Sequence, residues 1–421
     1  MRKRIAGALL IAFVCTPWLA SAQTTPAVRL ISLVDAVRRV ESDGFDVRMA
    51  VAQAAMAAAD ATTARAAYLP VLGVAGTATD ANLPQLGMPV GRQTYVSANI
   101  SVPVVNTPLW ASARAARLDA AAANQSTELT RGDAAFGVVV AYHRAQLAAS
   151  LLDVRSVGVR DEEEHVRLTE QRVAAGKLPR YQIARDRAAL AAAQQMREDA
   201  RAEKDRALID LAALLNYDVD APLALADPLV GEDLKGDRET WMRQTALRPD
   251  VLAAHSRWDA ARARLDAAVG AYAPTLAIAG QTYNGTSSPA LGAGGGQITA
   301  TVTLPLADGG TRTAAVHRAR ADADRAFIDY GRTLAGAQRD LADAWREREA
   351  AISNLRTADA AKADAEEQLR VARLRERAGK AIDIEVLDAL TVAANARETA
   401  LRTLIRYNDS GAAVRHAVGL A

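Results

Sequence analysis

The sequence has few of the residues on which many classes of protein depend. It contains one cysteine among 421 residues, so a disulfide scaffold is excluded. Aromatic residues make up only 4% of a chain that is half hydrophobic, so most apolar side chains are small and aliphatic. Such side chains suit long, closely packed helices better than a compact globule. The 51 Lys and Arg nearly balance the 49 Asp and Glu, so no basic excess indicates a nucleic-acid partner.

The first 22 residues have the pattern of a signal peptide. Residues 2–4 are basic, an apolar run follows, and Ala20-Ser21-Ala22 supplies a small-x-small cleavage site. The run is too short to span a membrane comfortably, so we expect cleavage after Ala22 and export. Cys15 lies inside this run. Because no apolar run of 18 or more residues remains, we expect a membrane-spanning mature chain to use β-strands.

The rest of the chain repeats itself at an offset of 202 to 204 residues. The recurring segments are Asp46-Val47 with Asp250-Val251, Tyr68-Leu69-Pro70 with Tyr272-Ala273-Pro274, Ser101-Val102-Pro103-Val104 with Thr303-Leu304-Pro305-Leu306, and 172–177 with 375–380. Four matches in the same order predict two copies of one structural unit. We expect the first copy over 23–215, a linker over 216–240 and the second copy over 241–421.

Each copy is predicted to contain two β-strands followed by a long helical hairpin. Apolar and polar residues alternate most clearly in the second strand of each copy. The expected strands are 69–79 and 94–105 in the first copy, and 274–283 and 297–306 in the second. Each strand would have one apolar face and one face of Thr, Ser, Gln and Asn residues, as the strands of an outer-membrane barrel do. It equally fits an ordinary hairpin on a soluble sheet.

The segment 311–377 predicts a single helix of unusual length, because it contains no proline. Every seventh residue from Val316 to Ala372 is apolar, and most of these residues are alanine. A second, bulkier seam is interrupted by Arg348 and Lys362. A sustained seven-residue repeat indicates a left-handed coiled coil, here about 100 Å long at ~1.5 Å per residue. Such a helix must run along neighbouring helices, within or between subunits.

Four strands cannot close a membrane barrel, since the smallest barrels have about eight. The sheet edges must therefore pair with other copies of the chain. Symmetric closure by three copies would give 12 strands and a lumen wide enough for solutes.

Two segments resemble the TolC-like outer-membrane efflux proteins. The segment 304–312, Leu-Pro-Leu-Ala-Asp-Gly-Gly-Thr-Arg, is similar to the family's turn between a strand and the long helix. The segment 378–389, with its glycine and two acidic residues three apart, is similar to the family's hairpin tip. The resemblance implies a mixed α/β membrane protein that is mainly helical. It also implies a homotrimer with a 12-stranded β-barrel, continued by a periplasmic α-helical barrel with the linker at its equator.

The resemblance implies functional roles for three groups of residues. Glu385 and Asp388 would form acidic rings at the pore constriction, although an exposed charged helix surface is the alternative. The hairpin tips would dock a periplasmic adaptor. The strand-to-helix turn would comprise Pro305, Asp308, Gly309 and Gly310. The docking residues at the tips are Gly176, Lys177, Gly379 and Lys380.

The expected function is a passive exit duct in the outer membrane for small molecules, driven by an inner-membrane pump through the adaptor. No catalytic motif, cofactor site or metal-ligand motif stands out, and the five histidines are expected at surface or packing positions. The acidic run 161–164 is expected to be a solvated helix face. The closed state is expected to depend on Arg373 or Arg377 contacting a carboxylate of the adjacent hairpin. A type I protein secretion duct and a soluble periplasmic coiled-coil protein are the alternatives.

Overall fold

The computed structural model describes residues 28–81, 91–218, 221–286, 294–378, 380 and 383–420. The expected signal peptide and Gly379 lie outside the described residues. The helices are α1 Leu33–Asp43, α2 Phe45–Ala66, α3 Thr107–Ala174, α4 Tyr181–Leu214, α5 Arg238–Gln244, α6 Pro249–Gly270, α7 Thr311–Arg377 and α8 Asp383–His416. The strands are β1 Arg29–Ile31, β2 Val71–Ala81, β3 Gly91–Val105, β4 Leu223–Leu225, β5 Thr275–Thr286 and β6 Gly294–Thr303.

The order of the elements repeats along the chain, which confirms the two-fold repeat and the mainly helical fold expected from the sequence. A 22-residue helix, two strands and a very long helix occur in each copy. The long helices α3 and α7 have 68 and 67 residues, and the returning helices α4 and α8 have 34 each. Each copy therefore places a strand pair at one end and a hairpin tip at the other.

The four long strands form one antiparallel sheet in the order β2-β3-β5-β6. The strands β2 and β6 are the edges of this sheet, and they run in opposite directions. The strand β6 ends at Thr303, three residues before the predicted end, because Pro305 has no N–H to donate to a ladder. Pro103 lies at the corresponding position in β3, and the pairing of β3 with β5 shifts register between Pro103 and Val105.

The seven-residue repeat of α7 packs as the sequence predicts. Six of its seam alanines are buried, namely Ala323, Ala337, Ala351, Ala358, Ala365 and Ala372. Near the tip, Leu369 and Ala372 pack against Val386, Ala389 and Leu390 of α8. Alanine at the seam lets the two backbones approach closely, so the second hairpin is tightly packed near its tip.

The middle of the molecule holds a second, smaller sheet that the sequence does not predict. The strand β1 pairs in parallel with β4, which lies inside the expected linker. The buried Tyr142 of α3 donates to the carbonyl oxygen of Ile31 at 3.1 Å and lies 2.9 Å from the Asp227 carboxylate. Tyr142 belongs to a core with Val138 and Leu211, so the linker is part of the packed body.

Arg348 interrupts the bulky seam of α7 and is itself buried, with 4% of its surface exposed. Its guanidinium donates to the carbonyl oxygen of Tyr407, and to that of Glu232 at 3.0 Å. It also stacks over the Tyr407 ring at 3.6 Å. The arginine thus joins α7, α8 and the linker at one point.

Among the described residues, one helix, α3, contains a window long and apolar enough to cross a membrane by length and composition, which the sequence reasoning did not anticipate. The window belongs to a 68-residue helix and is 44% buried inside the protein. Helices that form the core of a protein meet the same criterion, so this window is weak support for a helical membrane span.

Candidate functional site

The first hairpin tip is held by a glycine in the left-handed backbone region. Gly176 has φ of +68°, and its N–H donates to the carbonyl oxygen of Val173 at 2.9 Å. The N–H of the next residue, Lys177, donates to the carbonyl oxygen of Arg172 at 2.9 Å. This pair of bonds is the Schellman motif, which satisfies the last carbonyl groups of α3 and reverses the chain.

The second tip repeats part of this arrangement. The N–H of Lys380 donates to the carbonyl oxygen of Arg375 at 2.8 Å, the counterpart of the bond from Lys177 to Arg172. Gly379 lies outside the described residues, so its conformation stays a prediction. The two tips nevertheless share their helix-terminating bond.

Glu385 and Asp388 lie on α8 immediately after the second tip. Glu385 is partly exposed and forms an ion pair with Arg375 of α7, whereas Asp388 is exposed. The neighbouring Val386 and Ala389 point into the apolar interior of the hairpin. Both carboxylates therefore lie off the packed face of α8, one turn apart.

A second set of contacts ties the two hairpins of the chain together. The Arg373 guanidinium lies 2.6 Å from the carboxylate of Asp161 on α3, so the expected contact from Arg373 to the adjacent hairpin occurs within one chain. Further from the tip, Arg155 pairs with Glu398. The expectation of a solvated acidic face over 161–164 is wrong for Asp161 and for Glu162, since one pairs across the hairpins and the other has a buried oxygen.

Three histidines lie beside carboxylates of other helices, which the sequence reasoning missed. His143 is buried and approaches Asp409 at 2.7 Å, and His416 approaches Asp133 at 2.8 Å. His165 is buried near the tips. The members of the pairs His143–Asp409 and His416–Asp133 are 266 and 283 residues apart in sequence, so only the packing of α3 against α8 brings them together. Within the described ranges, no group of three or more His, Cys, Asp or Glu is placed to hold a metal ion.

The turn between β6 and α7 is organised by Asp308. Its carboxylate accepts hydrogen bonds from the backbone N–H of Gly310 at 3.1 Å and of Arg312 at 2.8 Å. Gly309 and Gly310 have φ of +63° and +92°, which side chains with a Cβ rarely adopt. Hydrogen bonds from the Arg312 backbone are the main cause that holds the pKa of Asp308 below its usual range. Pro305 precedes this turn and adds no hydrogen-bond donor to it.

The lowered pKa of Asp308 predicts a pH-dependent contribution to stability. Because the folded-state pKa is depressed, the ionised carboxylate stabilises the turn above about pH 4, and this contribution is lost as the pH falls through the folded-state value. The variant Asp308→Ala should therefore be less stable than the wild type at pH 7, and the difference should be smaller at pH 2. Thermal denaturation at both pH values checks this. An equal difference at the two pH values would contradict it.

The comparison with known proteins decides the family. The model of the outer membrane efflux protein family matches residues 37–217 and 243–420, which together cover both repeats. The chain belongs to the outer membrane efflux protein family. This efflux protein is therefore an outer-membrane protein that extends into the periplasm, and its family consists of channels, not enzymes. Members of the family are trimeric channels that work with adaptor and pump partners.

Individual relatives agree with this assignment. Protein CyaE of Bordetella pertussis is 28% identical over 326 residues, which cover 74% of this efflux protein and 69% of CyaE. Outer membrane protein OprJ of Pseudomonas aeruginosa is 32% identical over 148 residues, covering 34% of this chain and 30% of OprJ. The crystal structure of VceC from Vibrio cholerae has a TM-score of 0.81 at 21% identity and covers 92% of this chain and 96% of VceC. The fold of this efflux protein is thus that of a TolC-like channel.

Proposed function

We propose that three copies of this chain form the outer-membrane channel of a tripartite efflux system. The channel is a passive exit duct for small molecules, and an inner-membrane pump supplies the energy through a periplasmic adaptor. The observation that carries this proposal is the four-stranded sheet, which leaves two edges unpaired and runs directly into the long helices. Family membership supports the channel, and the sheet geometry supports the number of copies.

The edges of the sheet are suited to each other. Because β2 and β6 run in opposite directions, β6 of one copy pairs antiparallel with β2 of the next, which continues the pattern of the sheet. Their side chains include exposed apolar residues such as Leu72, Val74 and Ile298, and these suit contact with lipid. Three copies of four strands close a 12-stranded barrel, and the helices continue it into the periplasm.

Cysteine cross-linking tests this closure. In a Cys15→Ser background, Leu72→Cys or Val74→Cys on β2 is combined with Ile298→Cys or Val302→Cys on β6. The two edges of one sheet are separated by three strand spacings of ~4.8 Å, too far for a disulfide within a chain. Mild oxidation should therefore give covalent trimers for at least one pair. The single-cysteine variants are the controls, and monomers from every pair would contradict closure.

The tip at Gly176 is proposed to dock the adaptor. A Cβ at Gly176 would meet no atom within 4 Å, but its φ of +68° penalises any residue other than glycine. The variant Gly176→Leu should distort the tip at a cost of about 1–2 kcal/mol. Adaptor binding should consequently weaken about tenfold, while the trimer assembles normally. Binding to the purified adaptor and the trimer mass measure the two effects.

A matched control separates an effect on adaptor docking from the general effect of adding a leucine side chain. Gly158 also has no atom within 4 Å of an added Cβ, and it lies inside α3 with ordinary helical geometry. Gly158→Leu should bind the adaptor as the wild type does. Equal weakening by both substitutions would contradict a docking role for the tip at Gly176.

Complementation distinguishes small-molecule efflux from protein secretion. Deletion of the gene should lower the tolerance of the cells to toxic small molecules, and the wild-type gene should restore it. Unchanged tolerance together with the loss of an exported protein from the medium would contradict the proposal and favour a secretion duct. Recovery of the protein from the periplasm without detergent would favour a soluble coiled-coil protein instead.

A further inference from the structure

The junction between the two hairpins, just short of their tips, contains a buried polar cluster. Glu162, His165, Thr169 and Arg172 follow one face of α3, spaced by about one turn each. His165 and Thr169 are buried, with 3% and 1% of their surfaces exposed. At the offset of 203 residues that relates the two tips, Glu162 and Thr169 correspond to the buried Ala365 and Ala372 of the second hairpin. The two hairpins therefore meet through groups whose contacts depend on charge.

His165 faces a carboxylate on each side. Its Nε2 lies 3.6 Å from Oδ2 of Asp186 on α4, and its Nδ1 lies 3.4 Å from Oε1 of Glu376 on α7. Both carboxylates are buried, Asp186 completely. An imidazolium has an N–H on both ring nitrogens and attracts both carboxylates, whereas a neutral imidazole presents a lone pair to one of them. A histidine ring therefore links α3 to both other helices only while it carries its second proton.

Charged groups from each neighbouring helix surround this ring. On α3, the Arg172 guanidinium lies 3.5 Å from Glu376 and donates to its carbonyl oxygen at 2.7 Å. On α4, Arg185 lies 3.3 Å from Asp186. On α7, Arg373 pairs with Asp161 and also acts on Glu376. On α8, Glu385 pairs with Arg375.

The carboxyl groups of the cluster respond differently to their surroundings. Burial acts to raise the pKa of Glu376, but His165, Arg172 and Arg373 outweigh it, so the pKa is lowered and Glu376 stays ionised. Burial raises the pKa of Glu162, which has no such set of cations around it. Glu162 is therefore the other group of the cluster whose protonation could depend on pH, and any test must separate it from His165.

Some buried polar atoms in and beside this cluster have no hydrogen-bond partner. The buried side-chain oxygens Oε2 of Glu162, Oγ1 of Thr169 and Oε1 of Gln182 have no hydrogen-bond partner. Each such group costs free energy that a well-packed apolar junction would not. Segments that open locally come from regions of this kind.

We propose that His165, Asp186 and Glu376 form a proton-controlled clasp, which holds the two hairpins together at acidic pH and releases them as His165 loses its proton. This proposal rests on the proposed function, because release of the hairpins widens the entrance of the duct. Histidines exchange this proton between about pH 5 and 8, so the clasp would respond to acidification of the periplasm. The clasp does not include the carboxylates of Glu385 and Asp388.

Hydrogen exchange of the detergent-solubilised full-length trimer tests the clasp without requiring transport. Deuterium uptake is measured in peptides covering 166–176 and 370–378 from pH 5.5 to 8. The labelling times are corrected for the pH dependence of intrinsic amide exchange. In the wild type, protection of these peptides should fall at least tenfold across this range. In His165→Gln it should be low and independent of pH. A wild type without this change, or a His165→Gln variant with the same change, would overturn the proposal.

Further variants identify the titrating group. Glu376→Gln should lower the protection at pH 5.5 and weaken its dependence on pH, because it removes the carboxylate through which His165 holds the second hairpin. Glu162→Gln and the exposed His317→Gln should keep the wild-type transition; its loss in Glu162→Gln would assign the switch to that carboxyl and overturn the role of His165. Bilayer conductance is recorded on the same trimers. A trimer that exchanges as expected but conducts at no pH would count against the duct, not against the clasp.

Discussion

A channel in which Glu385 and Asp388 are both alanine should lose most of its preference for cations, and divalent cations should block it less. In the proposed trimer, two carboxylates per chain place six in one ring at the entrance. Acidic rings attract cations and repel anions, so their removal lowers cation selectivity. The change should be larger than two lost charges suggest, because the variant leaves Arg375 without the carboxylate that it pairs with. Planar-bilayer recordings in a salt gradient measure the effect.

A variant with the opposite sign is the matched control for this experiment. Arg375→Gln removes the cation that faces Glu385, so the entrance becomes more acidic and cation preference should rise. Asp322 and Asp343 are exposed carboxylates of α7 far from the tip, and their joint replacement by alanine should change selectivity little. Unchanged selectivity and divalent block in the Glu385→Ala/Asp388→Ala channel would place both side chains outside the conducting path.

Replacing Arg348 by alanine should destabilise the protein by about 3 kcal/mol. The substitution leaves the buried carbonyl groups of Tyr407 and Glu232 without their donor, and it removes the stack on the Tyr407 ring. Unsatisfied buried groups and the empty volume both contribute to this cost. Arg348→Lys should recover less than half of the loss, because one ammonium cannot reach both carbonyls and stack at once.

Chemical denaturation followed by the helical circular dichroism signal measures the loss in stability. Arg356 lies on the same helix, two turns further on, and is exposed. Arg356→Ala should change stability by less than about 0.5 kcal/mol, as most surface substitutions do. Equal effects at positions 348 and 356 would contradict the view that Arg348 joins α7, α8 and the linker.

Sequence patterns predicted the parts of the fold that arise from local periodicity. The absence of proline predicted a long helix over 311–377, and α7 has the same bounds. The seven-residue spacing of alanines predicted its packed face. The repeated segments predicted two copies, and the structure has them. Both signals are local, because a seam or an alternating strand records which face of one element is buried.

Contacts between distant segments could not be predicted in this way. The pairing of β1 with β4 joins residues about 194 positions apart, and no pattern in either three-residue strand marks it. Arg348 looked like an interruption of a seam, since its carbonyl partners lie on other elements. His165 looked like an isolated histidine. Asp186 reaches it only when α4 packs on α3, and Glu376 reaches it only when the second hairpin packs on the first.

Native mass spectrometry of the protein extracted from outer membranes in mild detergent tests the trimeric channel most directly. Each chain exposes two unpaired sheet edges, β2 and β6, so the chain should be found in complexes of three. We predict one dominant species with three times the mass of the mature chain. A stable single chain that retains its β signal in circular dichroism would contradict the trimeric channel.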